Sequence, residues 1–513
     1  MRGRSGVSRR QFLKRGFAAV GAAVAAVAVT GKDGDAGALR PPVQKSTEQL
    51  QREFAELRFG MFIHFNMSTF TDLEWDSGRR DPLTFNPAKL DCGQWADAAK
   101  SAGMKFAALT TKHHDGFCLW DTKLTAYNSM NSAVKTDVVK QYVDAFRSRG
   151  IGPGIYFSMW DRTADVGTGN ITPEKLAFVR GQLTELLTNY GEVPFLIIDG
   201  WCWKMGHLQV PYEMVRDTVK RLQPNCLMID HNGLSEPWEE DVVYFEGPKG
   251  VFPPEDNTRA SILGQTISRG WFWHPWTATS DPWKLQDAVE RLTTLEKRYC
   301  NLQVNCPPNR EGILDANIVA RLKEIGQAWK PDGVRPPLPP QPLFVQYPIS
   351  PKEAKATSEA AAVDKELKEG KAINAIDGFS DMGGKPRETL WRTDGPLPQS
   401  ITIDLGQAYS GLDGIDYLPS QWYKPKWGRA LDVSCQVITG YITSYRIHAG
   451  IDGSSFSPVA EGKLKGDHHL KNIEFPRTTA RYIRLEILEA VDNFAAVSEL
   501  TVGGRSRKPE PAG

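Results

Sequence analysis

Two apolar runs of this sequence end in a carboxylic acid. Asp199 closes "FLII" and Glu246 closes "VVYF". Two carboxyl groups, one ionised and one kept protonated, are what hydrolysis of a glycosidic bond requires. The apolar run before Glu246 favours its neutral form, so we predict Asp199 as nucleophile and Glu246 as acid/base. Asp199 has a second interpretation as a helix N-cap. Glu255 and Asp256, in "PPEDN", are alternative acids or belong to a solvated turn.

Histidines and aromatic residues follow further apolar runs: His64, His113, His114, Tyr156, Trp201 and His231. Neutral imidazoles both donate and accept hydrogen bonds, which suits a hydroxyl-rich ligand. Together these positions predict a binding site, whereas a single one, such as His231, also fits a structural role. The alternative is a metal held by His64, His113, His114 and Asp199. However, adjacent histidines in an extended segment point in opposite directions, so both bind one ion only if the chain bends.

Eight short apolar runs alternate with helical patterns between about residues 60 and 330. They are "MFIHF" (61–65), "FAALTT" (106–111), "GIYFSM" (154–159), "FLIID" (195–199), "LMID" (227–230), "VVYFE" (242–246), "ILGQTIS" (262–268) and "LQVN" (302–305). Runs that are apolar throughout suit strands buried on both faces. We predict a (β/α)8 barrel at 45–330, with its active site at the carboxyl ends of the strands. The alternative is an open doubly wound sheet, but no glycine-rich phosphate loop follows a strand.

The character of the sequence changes after residue 330. Residues 331–344 are rich in proline and predict a linker. Short runs such as "SITIDLG" and "ARYIRLEIL", separated by turn signals, then predict an all-β sandwich at 345–505. Residues 506–513 are assigned to a tail.

Residues 1–38 have the pattern of a twin-arginine signal peptide. "SRRQFLK" (8–14) precedes an apolar segment and then Ala36-Gly37-Ala38, a small-x-small cleavage site. We therefore expect a periplasmic or secreted protein. Cleavage would remove seven basic and two acidic residues. The mature chain is then slightly acidic, so we expect neither nucleic acid nor a membrane as partner.

The seven cysteines show no metal-binding spacing. Cys435 lies in the sandwich region, and the other six lie in the barrel region, at positions 92, 118, 202, 226, 300 and 306. Without a CxxC pair or a Cys/His cluster, a zinc site is not expected. Cys300 and Cys306 could pair after export. Twin-arginine substrates fold before export, however, which favours packed thiols.

The barrel resembles the α-L-fucosidases of glycoside hydrolase family 29. The likeness rests on "RFGMFIHFN" (58–66), "EW" (74–75), "KFAALTTKHHDGFCLW" (105–120), "GIYFSMWD" (154–161), "LIIDGW" (196–201) and "NLQVNCPPNREGILD" (301–315). The resemblance implies Asp199 as nucleophile. It implies sugar contacts from His64, Glu74, Trp75, His113, His114 and Tyr156. The acid/base has no fixed position in that family, so Glu246 rests on its place at a strand end.

Three segments depart from the family pattern. "LIID" is aliphatic where a tryptophan is common, "DHNG" places His231 where many members have arginine, and "GWFWHPW" (270–276) differs from the usual segment. These changes surround the predicted pocket. They leave the glycosidic linkage open and allow a related sugar.

The C-terminal region resembles the discoidin-like (coagulation factor type C) sandwiches. "NAIDGFSDMGGKPRETLWRT" and "ARYIRLEIL" carry the likeness. The resemblance implies a structural calcium near Asp377, and either glycan binding or packing against the barrel; no other cofactor is expected. The whole sequence predicts an exo-acting, retaining α-L-fucosidase of fucosylated glycans. A glycan-binding protein on an inactive barrel and a metal-dependent enzyme are the alternatives.

Overall fold

A computed structural model describes residues 43–232, 234, 236, 238–331, 333–341, 344–361, 370–379, 390–421 and 439–512. The predicted signal peptide and Cys435 lie outside these residues. Residues from Gln44 onward form one compact unit. Within the described ranges, no helix is both long and apolar enough to cross a membrane.

The predicted (β/α)8 barrel is confirmed. Its parallel strands are β1 (Phe59–Ile63), β2 (Phe106–Lys112), β3 (Gly152–Ser158), β4 (Phe195–Asp199), β5 (Leu227–Asp230), β6 (Val243–Glu246), β7 (Ser261–Thr266) and β8 (Cys300–Asn305). Their order in the sheet is β5-β4-β3-β2-β1-β8-β7-β6. Side chains occupy the gap between β5 and β6, since Asp241 and Glu240 accept the backbone N–H groups of Met228 and Asp230 at 2.9 and 2.8 Å.

Helices surround the strands. They are α1 (Thr47–Ala55), α2 (Ser68–Thr71), α3 (Cys92–Ser101), α4 (Val138–Arg147), α5 (Pro173–Asn189), α6 (Tyr212–Leu222), α7 (Leu285–Glu296) and α8 (Ala316–Ala328). Asp91, Asp137 and Thr172 begin α3, α4 and α5 as side-chain N-caps. Between β6 and β7 the described chain forms a single 3₁₀ turn, Gly247–Lys249.

Two apolar layers hold the barrel together. One lies between strands and helices and contains the buried Trp95 and Trp120. The other fills the interior, where Phe106 and Phe195 are fully buried. Phe54 of α1 closes the amino-terminal end, because its ring lies 5.7 and 5.6 Å from theirs. The carboxyl ends of the strands are left for polar groups.

The C-terminal region is an antiparallel β structure with its own core. Its strands are β9 (Tyr347–Pro348), β10 (Glu353–Ala356), β11 (Trp391–Arg392), β12 (Gln399–Pro419), β13 (Ile442–Gly450), β14 (Ser457–Lys463), β15 (Lys471–Ala490), β16 (Ala496–Gly504) and β17 (Glu510–Pro511). The main order is β11-β16-β12-β15-β13-β14. β17 lies in the segment assigned to a tail and pairs with β12.

The barrel and the sandwich share an apolar contact. It is formed by Cys202, Leu234, Trp238, Phe344, Leu418 and Leu470. Trp238 also donates from Nε1 to Thr501 Oγ1 at 3.3 Å. The six cysteines in the described residues are buried free thiols, including Cys300 and Cys306.

Candidate active site

A cavity of about 240 Å³ lies at the carboxyl ends of the barrel strands. Eight residues predicted from the sequence line it: His64, Trp75, His113, His114, Tyr156, Asp199, His231 and Glu246. Sites for drug-sized ligands occupy roughly 300–1,000 Å³. This cavity is smaller and therefore suits a single small ring.

Asp199 is held as an anion by His231 and by fixed neutral donors. Tyr156 donates its hydroxyl to Oδ2 at 2.6 Å, and Trp203 Nε1 and Gly200 N donate to Oδ1 at 2.7 and 2.5 Å. Burial raises the pKa of Asp199, but His231 and the hydrogen bond from Tyr156 hold it well below its ordinary value. The carboxylate is therefore ionised. It is not a helix cap, because α6 begins only at Tyr212.

The turn after Asp199 requires glycine. Gly200 has φ +66°, and a Cβ atom there would lie 2.7 Å from the Cβ of Trp160. Only glycine combines this left-handed conformation with so close an approach. The turn brings the N–H of Gly200 onto the carboxylate of the preceding residue.

Glu246 is also an anion, which corrects the prediction of a neutral carboxyl group. Lys249 Nζ and His231 Nε2 lie 2.6 and 3.1 Å from Glu246 Oε2. Burial raises the pKa of Glu246, but Lys249 and His231 lower it to about 2. The prediction considered the apolar run before Glu246 and overlooked the cation three residues after it.

His231 lies between the two carboxylates. Its Nδ1 is 3.2 Å from Asp199 Oδ1, and its Nε2 faces Glu246. Burial lowers the pKa of His231, but the two carboxylates raise it to about 9. At neutral pH the imidazolium is therefore the group that carries a transferable proton in this cluster.

Two other histidines are neutral and fixed in one tautomer. His64 Nδ1 lies 2.8 Å from Asn305 Oδ1, and His114 Nδ1 lies 2.7 Å from Ser158 Oγ, which itself donates to Trp160 O. Each ring therefore donates from Nδ1 and keeps an acceptor at Nε2. Burial lowers the pKa of His64 to about 3 and that of His114 to about 4. The free acceptors suit hydroxyl donors.

Two polar atoms of the cavity wall lack a protein partner. His113 Nδ1 and the Tyr244 hydroxyl are buried, and neither has a hydrogen bond within the part of the chain that the structure describes. Burial also lowers the pKa of His113 well below its ordinary value. Such atoms are costly unless a ligand pairs with them.

The structure corrects the assignment of Trp201. This residue is buried outside the cavity, and its Nε1 donates to Val210 O at 2.8 Å. Trp203 lines the cavity and donates to Asp199 instead. The sequence "DGWCWK" offers both tryptophans and does not reveal which one faces the site.

Glu74 does not line the cavity either. Its Oε2 accepts Trp271 N at 2.8 Å, and its Oε1 lies 2.8 Å from His274 Nε2. Glu74 therefore positions the "GWFWHPW" loop, whose Trp271 is a cavity wall. Its neighbour Trp75 does line the cavity and is 44 % exposed.

The alternative acids lie elsewhere. The Glu255 side chain is 89 % exposed, with Oε1 3.7 Å from Arg298 Nη2. Asp256 is exposed and lies 3.6 Å from His469 Nε2. Neither residue lines the cavity, so both fit the solvated-turn interpretation. Lys249 and Trp271, which the sequence analysis did not predict as site residues, do line the cavity.

Among the described residues, two groups of side chains have potential metal ligands close together. One group is Cys202, His207 and Asp230, and the other is Glu236, His468 and His469. The alternative metal-binding set of His64, His113, His114 and Asp199 is not one of them. In each group a histidine already faces a carboxylate. His207 Nε2 lies 2.7 Å from Asp230 Oδ2, and His469 Nδ1 lies 2.5 Å from Glu236 Oε1.

This arrangement defines a class of protein. Paired carboxylates, neutral histidines and aromatic walls at the carboxyl end of a (β/α)8 barrel are the equipment of a glycoside hydrolase. Residues 80–333 match the family described as alpha-L-fucosidase, and residues 353–500 match the F5/8 type C domain. The barrel of this chain therefore carries an alpha-L-fucosidase domain, and the C-terminal unit carries an F5/8 type C domain, as the sequence resemblance predicted.

Individual relatives agree with this placement. A protein of Oryza sativa subsp. japonica is 33 % identical over 328 residues, covering 58 % of this chain and 62 % of its own length. Alpha-L-fucosidase 1 of Arabidopsis thaliana is 32 % identical over 310 residues, covering 55 % and 59 %. The chain thus spans about three fifths of these relatives. A glycoside hydrolase 29 family member from an unknown rumen bacterium shares the fold, with TM-score 0.50 and 20 % identity over 89 % of this chain and 98 % of its own.

Proposed function

We propose that this protein is an exo-acting, retaining α-L-fucosidase that removes terminal fucosyl residues from glycans. The supporting observation is a cavity for one ring, lined by two buried carboxylates joined through His231. A pocket of this size leaves room for a chain end and not for an internal residue. The match of residues 80–333 to the alpha-L-fucosidase family supports L-fucose as that ring.

In the first step Asp199 attacks the anomeric carbon while the bond to the leaving oxygen breaks. The leaving oxygen needs a proton, which Glu246 lacks at neutral pH because its pKa is about 2. His231 Nε2 lies 3.1 Å from Glu246 Oε2 and carries a proton. The proton passes from His231 to Glu246 and on to the leaving group, and the covalent glycosyl-enzyme remains.

In the second step the proton returns. Glu246 takes a proton from water and passes it to the neutral His231, while the water oxygen attacks the anomeric carbon. The bond to Asp199 breaks and the carboxylate is released to its donors Tyr156, Trp203 and Gly200. Free sugar leaves with its original anomeric configuration, and all groups regain their starting protonation.

The remaining wall groups recognise hydroxyls. The Nε2 atoms of His64 and His114 accept from sugar hydroxyls, because their Nδ1 atoms are already donors. His113 Nδ1 and the Tyr244 hydroxyl are further partners that the protein leaves unpaired. This network selects a ring with several hydroxyls.

A screen of aryl glycosides tests the proposal. The mature protein is assayed on aryl α-L-fucoside, D-galactoside and L-rhamnoside, and the first-formed anomer is followed by proton NMR. We expect the highest kcat/KM on the fucoside and initial release of the α-anomer. Preference for another sugar would overturn the substrate, and initial release of the β-anomer would overturn retention.

We also propose that the protein is exported through the twin-arginine route to the periplasm or the medium. The support is the sequence "SRRQFLK" with Ala36-Gly37-Ala38. Replacing Arg9 and Arg10 together by Lys should leave uncleaved precursor in the cytoplasm. Continued export of that variant would contradict this route.

A structural calcium ion in the sandwich is proposed as well. Gly378 N donates to Glu499 Oε1 at 3.3 Å, which brings Asp377 and Glu499 together. Burial raises the pKa of Asp377 to about 8 and that of Glu499 well above its ordinary value. Glu499 Oε2 is buried and has no hydrogen-bond partner within the described ranges. Both carboxylates fit a hard cation, which they would hold through oxygen.

The calcium proposal has a thermal test. A chelator should lower Tm and calcium should restore it, and Glu499→Gln should abolish this response. A chelator-insensitive Tm of the parent protein would contradict the proposal.

A further inference from the structure

A second and larger cavity lies along the loop that follows β7. Its volume is about 550 Å³. The walls combine polar groups with tryptophan: Gln265, Ser268, Arg269, Trp276, Asp281 and Trp283. Hydroxyl, amide and charged groups beside an aromatic face are what a sugar ring needs, and no part of the proposed hydrolytic cycle uses them.

Trp276 is the most exposed large aromatic side chain of this wall. It is 48 % exposed, yet its ring stacks on that of His274 with centroids 4.2 Å apart and planes 9° apart. His274 Nε2 in turn lies 2.8 Å from Glu74 Oε1. An exposed indole is therefore held in a fixed orientation, which lowers the entropy lost when a ring stacks on it.

The second cavity is linked to the first at two places. Glu74 bonds His274 on one side and the backbone of Trp271, a wall of the first cavity, on the other. Gln265 also touches the turn after Glu246, since a Cβ atom on Gly247 would lie 2.2 Å from Gln265 Oε1. The second cavity therefore adjoins the Trp271 wall of the first cavity and the turn that follows Glu246.

One further atom in this cavity lacks a partner. Ser268 Oγ is buried and makes no hydrogen bond within the described part of the chain. Arg269 and Asp281, which also line this cavity, are exposed. A hydroxylated ligand would pair with all three side chains.

We propose that this cavity is a subsite for the saccharide from which the terminal sugar is cleaved, with one of its rings stacked on Trp276. The proposal rests on the proposed function. It deepens that function because it makes the natural substrate an oligosaccharide whose second or third ring contacts the "GWFWHPW" loop. Aryl glycosides would not reach this subsite.

The test compares two substrates on Trp276→Ala, with Trp276→Phe as the conservative variant and Leu83→Ala as control. Leu83 is 57 % exposed and lines neither cavity. The substrates are an aryl α-L-fucoside and fucosylated lactose trisaccharides with α1,2 and α1,3 linkages. For at least one trisaccharide we expect kcat/KM to fall about five- to tenfold in Trp276→Ala, the effect of one lost aromatic contact. Values on the aryl fucoside should stay within about twofold of the parent, and Trp276→Phe should recover most of the loss.

The outcomes separate this inference from the proposed function. Loss confined to the trisaccharides supports the subsite. The subsite is overturned if the ratio of kcat/KM on the trisaccharides to kcat/KM on the aryl fucoside is the same for the parent and Trp276→Ala. It is also overturned if the parent hydrolyses the aryl fucoside but none of the trisaccharides. If the parent does not hydrolyse the aryl fucoside, the proposed function fails. Trisaccharide binding by calorimetry in the Asp199→Asn background then decides, because weaker binding by Trp276→Ala supports the subsite and equal or absent binding overturns it.

Discussion

The ends of β4 and β6 each carry a buried carboxylate, and both carboxylates face His231, but their other donors differ. Asp199 accepts from Tyr156, Trp203 and Gly200, which are neutral and fixed by the fold. Glu246 Oε2 faces the cations of Lys249 and His231, and Lys249 is 41 % exposed. Neutral donors can stabilise an anion without offering it a proton, whereas an imidazolium can do both.

This difference separates the roles of the two carboxylates. A nucleophile must stay ionised and in place. The charge of His231 keeps Asp199 ionised, and the fixed neutral donors hold it in place. An acid/base must gain and lose a proton in each cycle, and Glu246 obtains that exchange from His231. The cluster of Asp199, His231 and Glu246 therefore shares one proton, which His231 and Glu246 exchange.

The largest expected effect is at the β4 end. Asp199→Asn keeps the shape of the side chain and removes its charge, so kcat should fall at least about a thousandfold on every substrate. Asp217→Asn, an exposed position on α6, is the matched control and should behave as the parent. A substantially active Asp199→Asn enzyme would refute the nucleophile.

At the β6 end the effect should depend on the leaving group. Glu246→Gln cannot relay a proton, so kcat/KM should fall about a hundredfold or more for poor leaving groups and much less for activated aryl fucosides. Azide should rescue Glu246→Ala by attacking the intermediate. Glu255→Gln is the control, because that residue lies outside the cavity. The reverse pattern would transfer the acid/base role to Glu255.

The pH profile tests His231. Its pKa is raised from 6.5 to about 9. The imidazolium therefore stabilises the fold most below pH 6.5, and this contribution is lost as pH rises through about 9. For the same reason kcat/KM should decline above about pH 9. His231→Gln should lose this basic limb, whereas His448→Gln, in the sandwich, should keep it. A limb that persists in His231→Gln would contradict the relay.

The smallest effect separates two neighbouring tryptophans. Trp203→Phe removes one donor to Asp199 and should lower kcat/KM about tenfold with little change in Tm. Trp201→Phe removes a buried bond to Val210 O and should lower Tm by a few degrees while kcat/KM stays within about twofold. Similar kcat/KM values for the two variants would contradict the assignment of Trp203, and not Trp201, to the active site.

Much of the fold could be predicted from the sequence. The apolar runs "FLIID" and "LMID" match β4 and β5 residue for residue, because strands buried on both faces leave no polar interruption. The prediction began β1 at Met61, two residues late, and the structure begins it at Phe59. Strand ends depend on ladder bonds to neighbours far away in sequence, which no local pattern reveals.

The site was less predictable than the fold. Asp199 and the paired histidines followed from their place after buried strands. The charge of Glu246 could not be predicted in this way, because it depends on Lys249 folding back through a 3₁₀ turn and on His231, which follows β5. Trp201 and Trp203 could not be distinguished, because their directions depend on a loop conformation fixed by Gly200.

Trapping the covalent intermediate tests the central claim most directly. The protein is incubated with a 2-fluorinated L-fucosyl fluoride, and the labelled peptide is sequenced by mass spectrometry. The account predicts one fluorofucosyl group per chain, attached to Asp199, and no label in Asp199→Asn. A label on another residue, or turnover of aryl fucoside without any trapped adduct, would contradict it.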